Sequence, residues 1–267
     1  MIQEENYIEI NKESWNNRTD SHLTSDFYDV EGFLNGKNSL NSIELDLLGD
    51  VSGKKILHLQ CHFGQDSLSL ARMGAKVTGV DLSDKAINAG KDLANKMEID
   101  AQFICCDLYD LPNHLEDKFD IVFTSYGTIG WLPDMNKWAD LIARYLKPGG
   151  HFVFAEFHPV VWMFDDDFKF VKFKYSKAEP IIENEEGTYA DKSADIQQDY
   201  VYWNHGLAEV VTALLSKNIS IQKFQEFDYS HYDCFDHTIE FEPGKFRIKH
   251  FGNKIPMVYT LLGKLEE

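Results

Sequence analysis

Ile56-Leu57-His58-Leu59-Gln60-Cys61-His62-Phe63-Gly64 is followed, after room for one helix, by Val77-Thr78-Gly79-Val80-Asp81. The first stretch is an apolar run that ends in a tight turn, and the second is an apolar run that ends on an acid. This is how the nucleotide-binding half of an α/β sheet opens, and an acid closing its second strand can accept hydrogen bonds from both hydroxyls of a ribose. The turn itself departs from the usual pattern. Dinucleotide-binding turns carry several glycines, so that a pyrophosphate can approach the backbone at a helix N-terminus. Here Gln60 and His62 occupy two of those positions and only Gly64 remains. Their side chains obstruct a pyrophosphate and favour a nucleotide cofactor that lacks one.

A regular alternation continues from this start. Residues 65 to 73 read as a helix with Leu68, Leu70 and Ala71 inward and Gly74 as its stop. Residues 76 to 82 form the second strand, and Ser83 can cap a helix that reaches about Met97. A third strand, 101 to 106, leads to Asp107, and a fourth covers 119 to 125. Pro133-Asp134 opens a helix whose Trp138, Leu141, Ile142, Tyr145 and Leu146 share one stripe, and Lys147-Pro148-Gly149-Gly150 breaks it before a fifth strand at 151 to 157. Strands separated by helices predict right-handed crossovers and a parallel sheet.

The flanks read differently. Residues 7 to 48 are helical and irregular, with Leu40, Ile43 and Leu47 at helical spacing; Trp15, His22, Phe27, Tyr28 and Phe33 supply enough rings for an arm folded over a site. Residues 168 to 175 alternate apolar and polar with a slip at Phe170-Val171, which predicts a half-exposed, bulged strand in an antiparallel insert; 183 to 187 read as an acidic turn and 193 to 198 as a loop. A helix at 206 to 215 and strands at 220 to 229 and 256 to 265 follow, the two strands as an antiparallel pair at the sheet edge. The expected fold is α/β, a Rossmann-like doubly wound sheet of seven strands with an antiparallel terminal strand. One domain spans 1 to 267: a helical lid (1 to 50), a cofactor-binding core (51 to 157), a substrate-side insert (158 to 205) and a terminal helix with its strand pair (206 to 267).

Composition narrows the partners. Of 267 residues, 43% are hydrophobic and 13% aromatic, enough for one large core with an elaborated lid. The net charge is −18, from 26 Lys+Arg against 44 Asp+Glu, which repels phosphate backbones and anionic membranes and makes nucleic acid an unexpected partner. Met1 to Asn6 is acidic and polar, unlike a signal peptide, and no apolar run approaches the ~20 residues of a membrane span, so a cytoplasmic location is expected. The four cysteines, Cys61, Cys105, Cys106 and Cys234, form no C-x-x-C pair, so no metal site is expected.

In an open α/β sheet the ligand lies beyond the carboxyl ends of the strands. That singles out Gln60 to Gly64, Asp81-Leu82, Asp107-Leu108, Ser125-Tyr126 and Glu156 to His158. Together with Leu146-Lys147-Pro148-Gly149-Gly150 before a strand and Phe119-Asp120-Ile121-Val122 leading to Ser125, these make residues 55 to 157 resemble the class I S-adenosylmethionine-dependent methyltransferases. More loosely, Asp26-Phe27-Tyr28-Asp29-Val30 and Trp203-Asn204-His205 are similar to a group of bacterial small-molecule methyltransferases. The resemblance implies that Gln60, Cys61, His62 and Gly64 wrap the methionine part of S-adenosylmethionine. It implies that Asp81 binds the ribose hydroxyls, that Leu82, Asp107 and Leu108 hold the adenine, and that Ser125 and Tyr126 line the sulfonium side. The family usually has an acid where this chain has His58; His58 as a neutral acceptor, Gln60 or Asp66 can take over its task of orienting the cofactor's amino group.

Methyl transfer is an in-line displacement at an activated carbon, so alignment dominates, with a general base for some acceptors. Tyr126 and His158 are the catalytic candidates, with Glu156 and His205 behind them. The expected acceptor is a small molecule with an oxygen, nitrogen or sulfur nucleophile. A non-catalytic S-adenosylmethionine-binding protein is the alternative, and an NAD-dependent dehydrogenase a more distant one; the oligomeric state is open.

Overall fold

The computed structural model describes residues 6–177 and 179–267; Met1 to Glu5, part of the polar start noted above, lie outside them. Three helices come first, α1 (Tyr7–Thr24), α2 (Val30–Leu34) and α3 (Ser42–Leu48). The alternation then runs β1 (Lys55–Leu59), α4 (Gln65–Arg72), β2 (Lys76–Asp81), α5 (Asp84–Lys96), β3 (Gln102–Cys105), β4 (Phe119–Ser125), α6 (Met135–Tyr145) and β5 (Leu146–Phe157). Beyond it lie a hairpin of β6 (Ile181–Glu186) and β7 (Gln197–Tyr202), α7 (Leu207–Leu215), β8 (Ile219–Phe227), a second hairpin of β9 (Thr238–Glu242) and β10 (Lys245–Ile248), and β11 (Val258–Leu265).

Seven strands form one sheet in the order β3-β2-β1-β4-β5-β11-β8. The first five are parallel, while β11 runs antiparallel to both β5 and β8. The order reverses between β1 and β4, so the crevice for a ligand opens at the carboxyl ends of those strands. Side-chain alternation sends Leu57, Leu59, Phe152 and Phe154 to one face, where they pack with Trp138 and Ile142 of α6 and Leu214 of α7. Ile56, Val77, Ile121, Phe123 and Val153 point to the other face, against Leu47 and Leu48 of α3 and Leu70 of α4. Burying both faces is what makes the strands near-continuous apolar runs, and why they were legible.

Caps fix the helix starts. The Ser83 hydroxyl accepts from Ala86 N at 3.0 Å, and Asp134 accepts from the N–H groups of Asn136 and Lys137. The Lys147-to-Gly150 stretch ends α6 as expected but already belongs to β5, whose register against β4 shifts between Phe119 and Ile121. Lys147 Nζ holds this irregular entry by pairing with Asp120 Oδ1 at 2.7 Å.

The insert corrects the sequence reading. Residues 168 to 175 are not a strand: Val171 makes one isolated bridge to Phe164, and Asp165 Oδ1 accepts from Lys169 N and Phe170 N to close a tight loop. The antiparallel pair is instead β6, which takes in most of the segment read as an acidic turn, and β7, which begins only at the end of the segment read as a loop. Polar side chains bond across the hairpin, Asn184 Nδ2 to Asp199 Oδ1 at 2.8 Å and Gln197 Nε2 to Asn184 Oδ1 at 2.7 Å, and its apolar residues, Ile181, Ile182 and Val201 among them, are confined to one end, so no sustained apolar alternation marks it. The β9–β10 hairpin was not anticipated either. No helix among the described residues is long and apolar enough to cross a membrane, and no cluster of three or more His, Cys, Asp or Glu among them is placed to hold a metal.

Candidate active site

The turn after β1 is built from alternating left-handed residues, Gln60 at φ 54°, His62 at φ 51° and Gly64 at φ 76°. Glycine takes that conformation freely, whereas the other two are held there by bonds. Gln60 Nε2 donates to Thr128 O at 2.8 Å, His62 N donates to Asp81 Oδ2 at 2.8 Å, and Cys61 N donates to Val80 O at 2.9 Å. Gly64 has a second reason to be glycine, since a Cβ there would meet the Phe103 ring at 2.4 Å. Asp81 also accepts from Ser83 N at 2.9 Å, and burial pushes its carboxyl up to about 6.

One cavity of about 950 Å³ lies over these strand ends. Gln60, Cys61, His62, Gly64, Asp81, Leu82, Asp107, Leu108, Ser125 and Tyr126 all line it, so the structure brings together every cofactor-side residue singled out above. Asp107 also caps the turn after β3 by accepting from Tyr109 N at 3.3 Å, and burial raises its pKa. Cys61 is buried and its thiol is pushed up by burial and by Asp81, which makes it packing rather than a nucleophile. Tyr126 stands at φ 41° after β4, and its buried hydroxyl lies beside Glu44 without a hydrogen bond of ordinary geometry.

His158 is not brought to this cavity. Its Nε2 faces Glu226 Oε1 at 2.9 Å on β8, its Nδ1 accepts from Val160 N at 3.2 Å, and its own N–H donates to Met257 O at 2.8 Å. Pro159 turns the chain so that Glu156, Phe157 and Pro159 line the cavity while His158 points the other way. Glu156 is a clamp: it accepts from the backbone N–H groups of Gly127, Thr128, Ile129 and Phe157 and from the Thr128 hydroxyl, leaving little capacity for a substrate proton. His205 Nε2 bonds to Leu132 O at 2.8 Å, while its Nδ1 lies 3.1 Å from Glu209 Oε2 without hydrogen-bond geometry.

The lid and the insert close the other side. Trp15, Phe27, Tyr28 and Phe33 line the cavity together with Trp162, Phe164, Tyr189, Tyr200, Tyr202 and Trp203. Three lid residues that sequence reasoning left without a role hold α1 in place. Asn11 Nδ2 donates to Val201 O at 2.8 Å and its Oδ1 accepts from Val201 N at 2.9 Å, copying a strand neighbour's bonds. Arg18 lies within 5.5 Å of the ring centres of Trp15, Trp131 and Tyr200 and pairs with Glu185 Oε2 at 2.7 Å. Asn16 Oδ1 accepts from the Ser83 hydroxyl at 2.6 Å. His22 Nδ1 meets His62 Nε2 at 2.9 Å; burial lowers both rings, His22 to about 3, so this contact is between neutral imidazoles.

Residues 56–150 match the family described as a methyltransferase domain. Among curated proteins the chain is similar to a ubiquinone biosynthesis O-methyltransferase of Alkalilimnicola ehrlichii, 31% identical over 135 residues, which are 49% of this chain and 54% of the relative. A protein of the same description from Coxiella burnetii is 29% identical over 138 residues, 51% and 58% of the two chains. The chain thus spans little more than half the length of these relatives. Among solved structures it resembles a putative S-adenosylmethionine-dependent methyltransferase from Listeria monocytogenes, with a TM-score of 0.58, 17% identity and coverage of 85% of this chain and 99% of that one. It also resembles a geranyl diphosphate C-methyltransferase from Streptomyces coelicolor, with a TM-score of 0.62, 15% identity and 97% of each chain; at such identities the likeness concerns the fold. The residues present fit S-adenosylmethionine, the cofactor that the sequence resemblance implies. Asp81 closes β2 with a carboxylate at the cavity wall, the left-handed turn exposes backbone rather than a phosphate cradle, and Gln60 Oε1 is buried at the wall without a partner.

Proposed function

We propose that the chain transfers a methyl group from S-adenosylmethionine to a small-molecule acceptor held between the strand ends and the lid. The observation that carries this reading is the continuity of the cavity: one lining joins Asp81, Asp107 and Ser125 at the strand ends to the aromatic rings of the N-terminal arm and the insert. Asp81 would bind the ribose hydroxyls, Leu82, Asp107 and Leu108 the adenine, and the backbone from Gln60 to Gly64 the methionine part, with Ser125 and Tyr126 on the sulfonium side. The bound cofactor supplies an already activated methyl carbon. The protein's task is then to align a nucleophile and to keep water out, and the rings of Trp15, Trp131, Tyr200 and Trp203 support both. Burial raises the Tyr126 phenol, so at neutral pH its hydroxyl carries its proton; it suits the orienting of an acceptor by a hydrogen bond better than the removal of a proton.

The relatives' description as O-methyltransferases favours an oxygen nucleophile. The test is calorimetry with S-adenosylhomocysteine, followed by transfer of a labelled methyl group to a panel of small phenols, alcohols and amines. Binding and transfer are expected. Binding without transfer to any of them supports the non-catalytic alternative, and no binding removes both readings.

A further inference from the structure

Asp66 lies in the first turn of α4 and lines the cavity beside the Gln60-to-Gly64 turn. Its Oδ2 accepts from the Ser125 hydroxyl at 3.2 Å, and the Ser39 hydroxyl also bonds to the carboxyl. Among the described residues no Lys, Arg or His forms an ion pair with it, and its side-chain partners are hydroxyls. The ionisable groups that feel its charge include the Glu44 carboxyl, the Cys61 thiol and the phenols of Tyr28, Tyr126 and Tyr232, each raised first by burial and further by Asp66. A carboxylate in such a setting is costly until a positive group joins it.

The β1 position that usually carries an acid offers no charge to compete. His58 is buried against Phe123, its Nδ1 is spent on the Ser67 hydroxyl at 2.8 Å, and burial lowers the ring to about 3, leaving it neutral. The neighbouring Gln60 turns its Nε2 to Thr128 O and keeps Oε1 buried and unpartnered. A carboxylate lacking a counter-charge and an amide oxygen lacking a donor therefore border the same end of the cavity.

We infer that Asp66, on α4, receives the ammonium of the cofactor's amino-acid part in place of the missing β1 acid, with Gln60 Oε1 as a second acceptor. This rests on the methyltransferase reading above. Two ligands separate the contributions: S-adenosylhomocysteine carries the amino group, and 5′-methylthioadenosine has the same nucleoside and thioether without the amino acid. In calorimetry the wild-type chain binds both. Asp66→Asn is expected to weaken S-adenosylhomocysteine by about tenfold to a hundredfold, the range for a charge-assisted hydrogen bond, and to leave methylthioadenosine unchanged. Retained methylthioadenosine binding also shows that the variant is folded. Asp66→Glu, which keeps the charge, is expected to hold S-adenosylhomocysteine more tightly than Asp66→Asn does. An unchanged S-adenosylhomocysteine affinity in Asp66→Asn, or an equal loss for both ligands, would overturn the assignment. A wild-type chain that binds neither ligand would instead remove the methyltransferase reading, and this inference with it.

Discussion

Gln60 and His62 carry most of what is unusual in the turn after β1. Each sits where glycine is usual and keeps glycine's left-handed backbone, at a cost on the order of 1 kcal/mol per residue. The offset is visible in their bonds to Thr128, Asp81 and His22. His62 thereby joins the turn to α1 on one side and to Asp81, the proposed ribose-binding acid, on the other. Asp81 is where this arrangement becomes measurable. Burial raises its folded-state pKa to about 6, above the usual carboxylate value, so the native chain holds a proton there that the unfolded chain has already released. Ionising Asp81 therefore lowers folding stability as pH rises from about 4 to about 6, while the carboxylate is the form that accepts from ribose hydroxyls. Affinity for S-adenosylhomocysteine is expected to be level above about pH 6 and to fall as pH drops through that value. Asp66 is raised by burial in the same direction, and His22 stays neutral down to about 3, so the lid histidine supplies no opposing trend. Calorimetry from pH 5 to 8 checks this, and Asp81→Asn is expected to bind more weakly with a flatter profile; a profile equally steep in that variant would assign the titration elsewhere.

The lid helix shows why some elements could be read and others could not. Residues 55 to 157 were legible because strands buried on both faces are apolar throughout and their helices carry apolar stripes, as Trp138, Leu141, Ile142 and Tyr145 do. The buried face of α1 is instead Asn11, Ser14, Arg18, Thr19 and His22, so no apolar period marks it as a packed helix. It is held by matched polar contacts: Asn11 to β7, Arg18 to Glu185, and Lys12 and Asn16 to the start of α5. Removing a partner from such a face leaves buried groups unpaired, which costs more than the bond alone. Asn11→Ala strips both the N–H and the C=O of Val201 of their side-chain partners, and a loss of about 2–3 kcal/mol is expected. Hydrogen exchange should show α1 amides opening faster while those of β1 and β4 keep their protection; uniform loosening of the chain would mean that α1 is not a separately held element. The same limit explains the site residues. A sequence places Glu156 and His158 after a strand but does not say that one clamps the Gly127-to-Ile129 turn and the other turns toward Glu226. Asp81, Asp107 and Ser125 lie at or just beyond the carboxyl ends of β2, β3 and β4, and that position alone predicted the side of the sheet they serve; all three line the cavity.

Charge acts on the molecule as a whole. With 44 acidic against 26 basic side chains, the folded chain concentrates a net −18 into a smaller volume than the unfolded chain, and self-repulsion opposes folding. Exposed ion pairs such as Lys169–Asp167 and Lys37–Asp29 pull the other way but contribute little each, since both partners are largely in water. Raising ionic strength from about 0.01 M to about 0.15 M shrinks the Debye length from about 30 Å to about 8 Å and screens the long-range repulsion most. Arg18–Glu185 is less affected, because its guanidinium is buried beneath three rings. The thermal midpoint is therefore expected to rise by a few degrees over this range, corresponding to about 1 kcal/mol for a chain of this length. Neutral sodium chloride is the salt to use, since sulfate would add an effect on apolar burial. A midpoint that falls with salt would show that the surface pairs outweigh the excess charge. The same field acts on ligands at the cavity, whose lining includes Asp165, Asp166, Glu186 and Asp236 beside the cations Arg18, Lys37 and Lys192. A cationic acceptor would then associate more slowly as salt rises and a neutral phenol would not, so the salt dependence of the association rate distinguishes these acceptor classes without knowledge of the acceptor's structure.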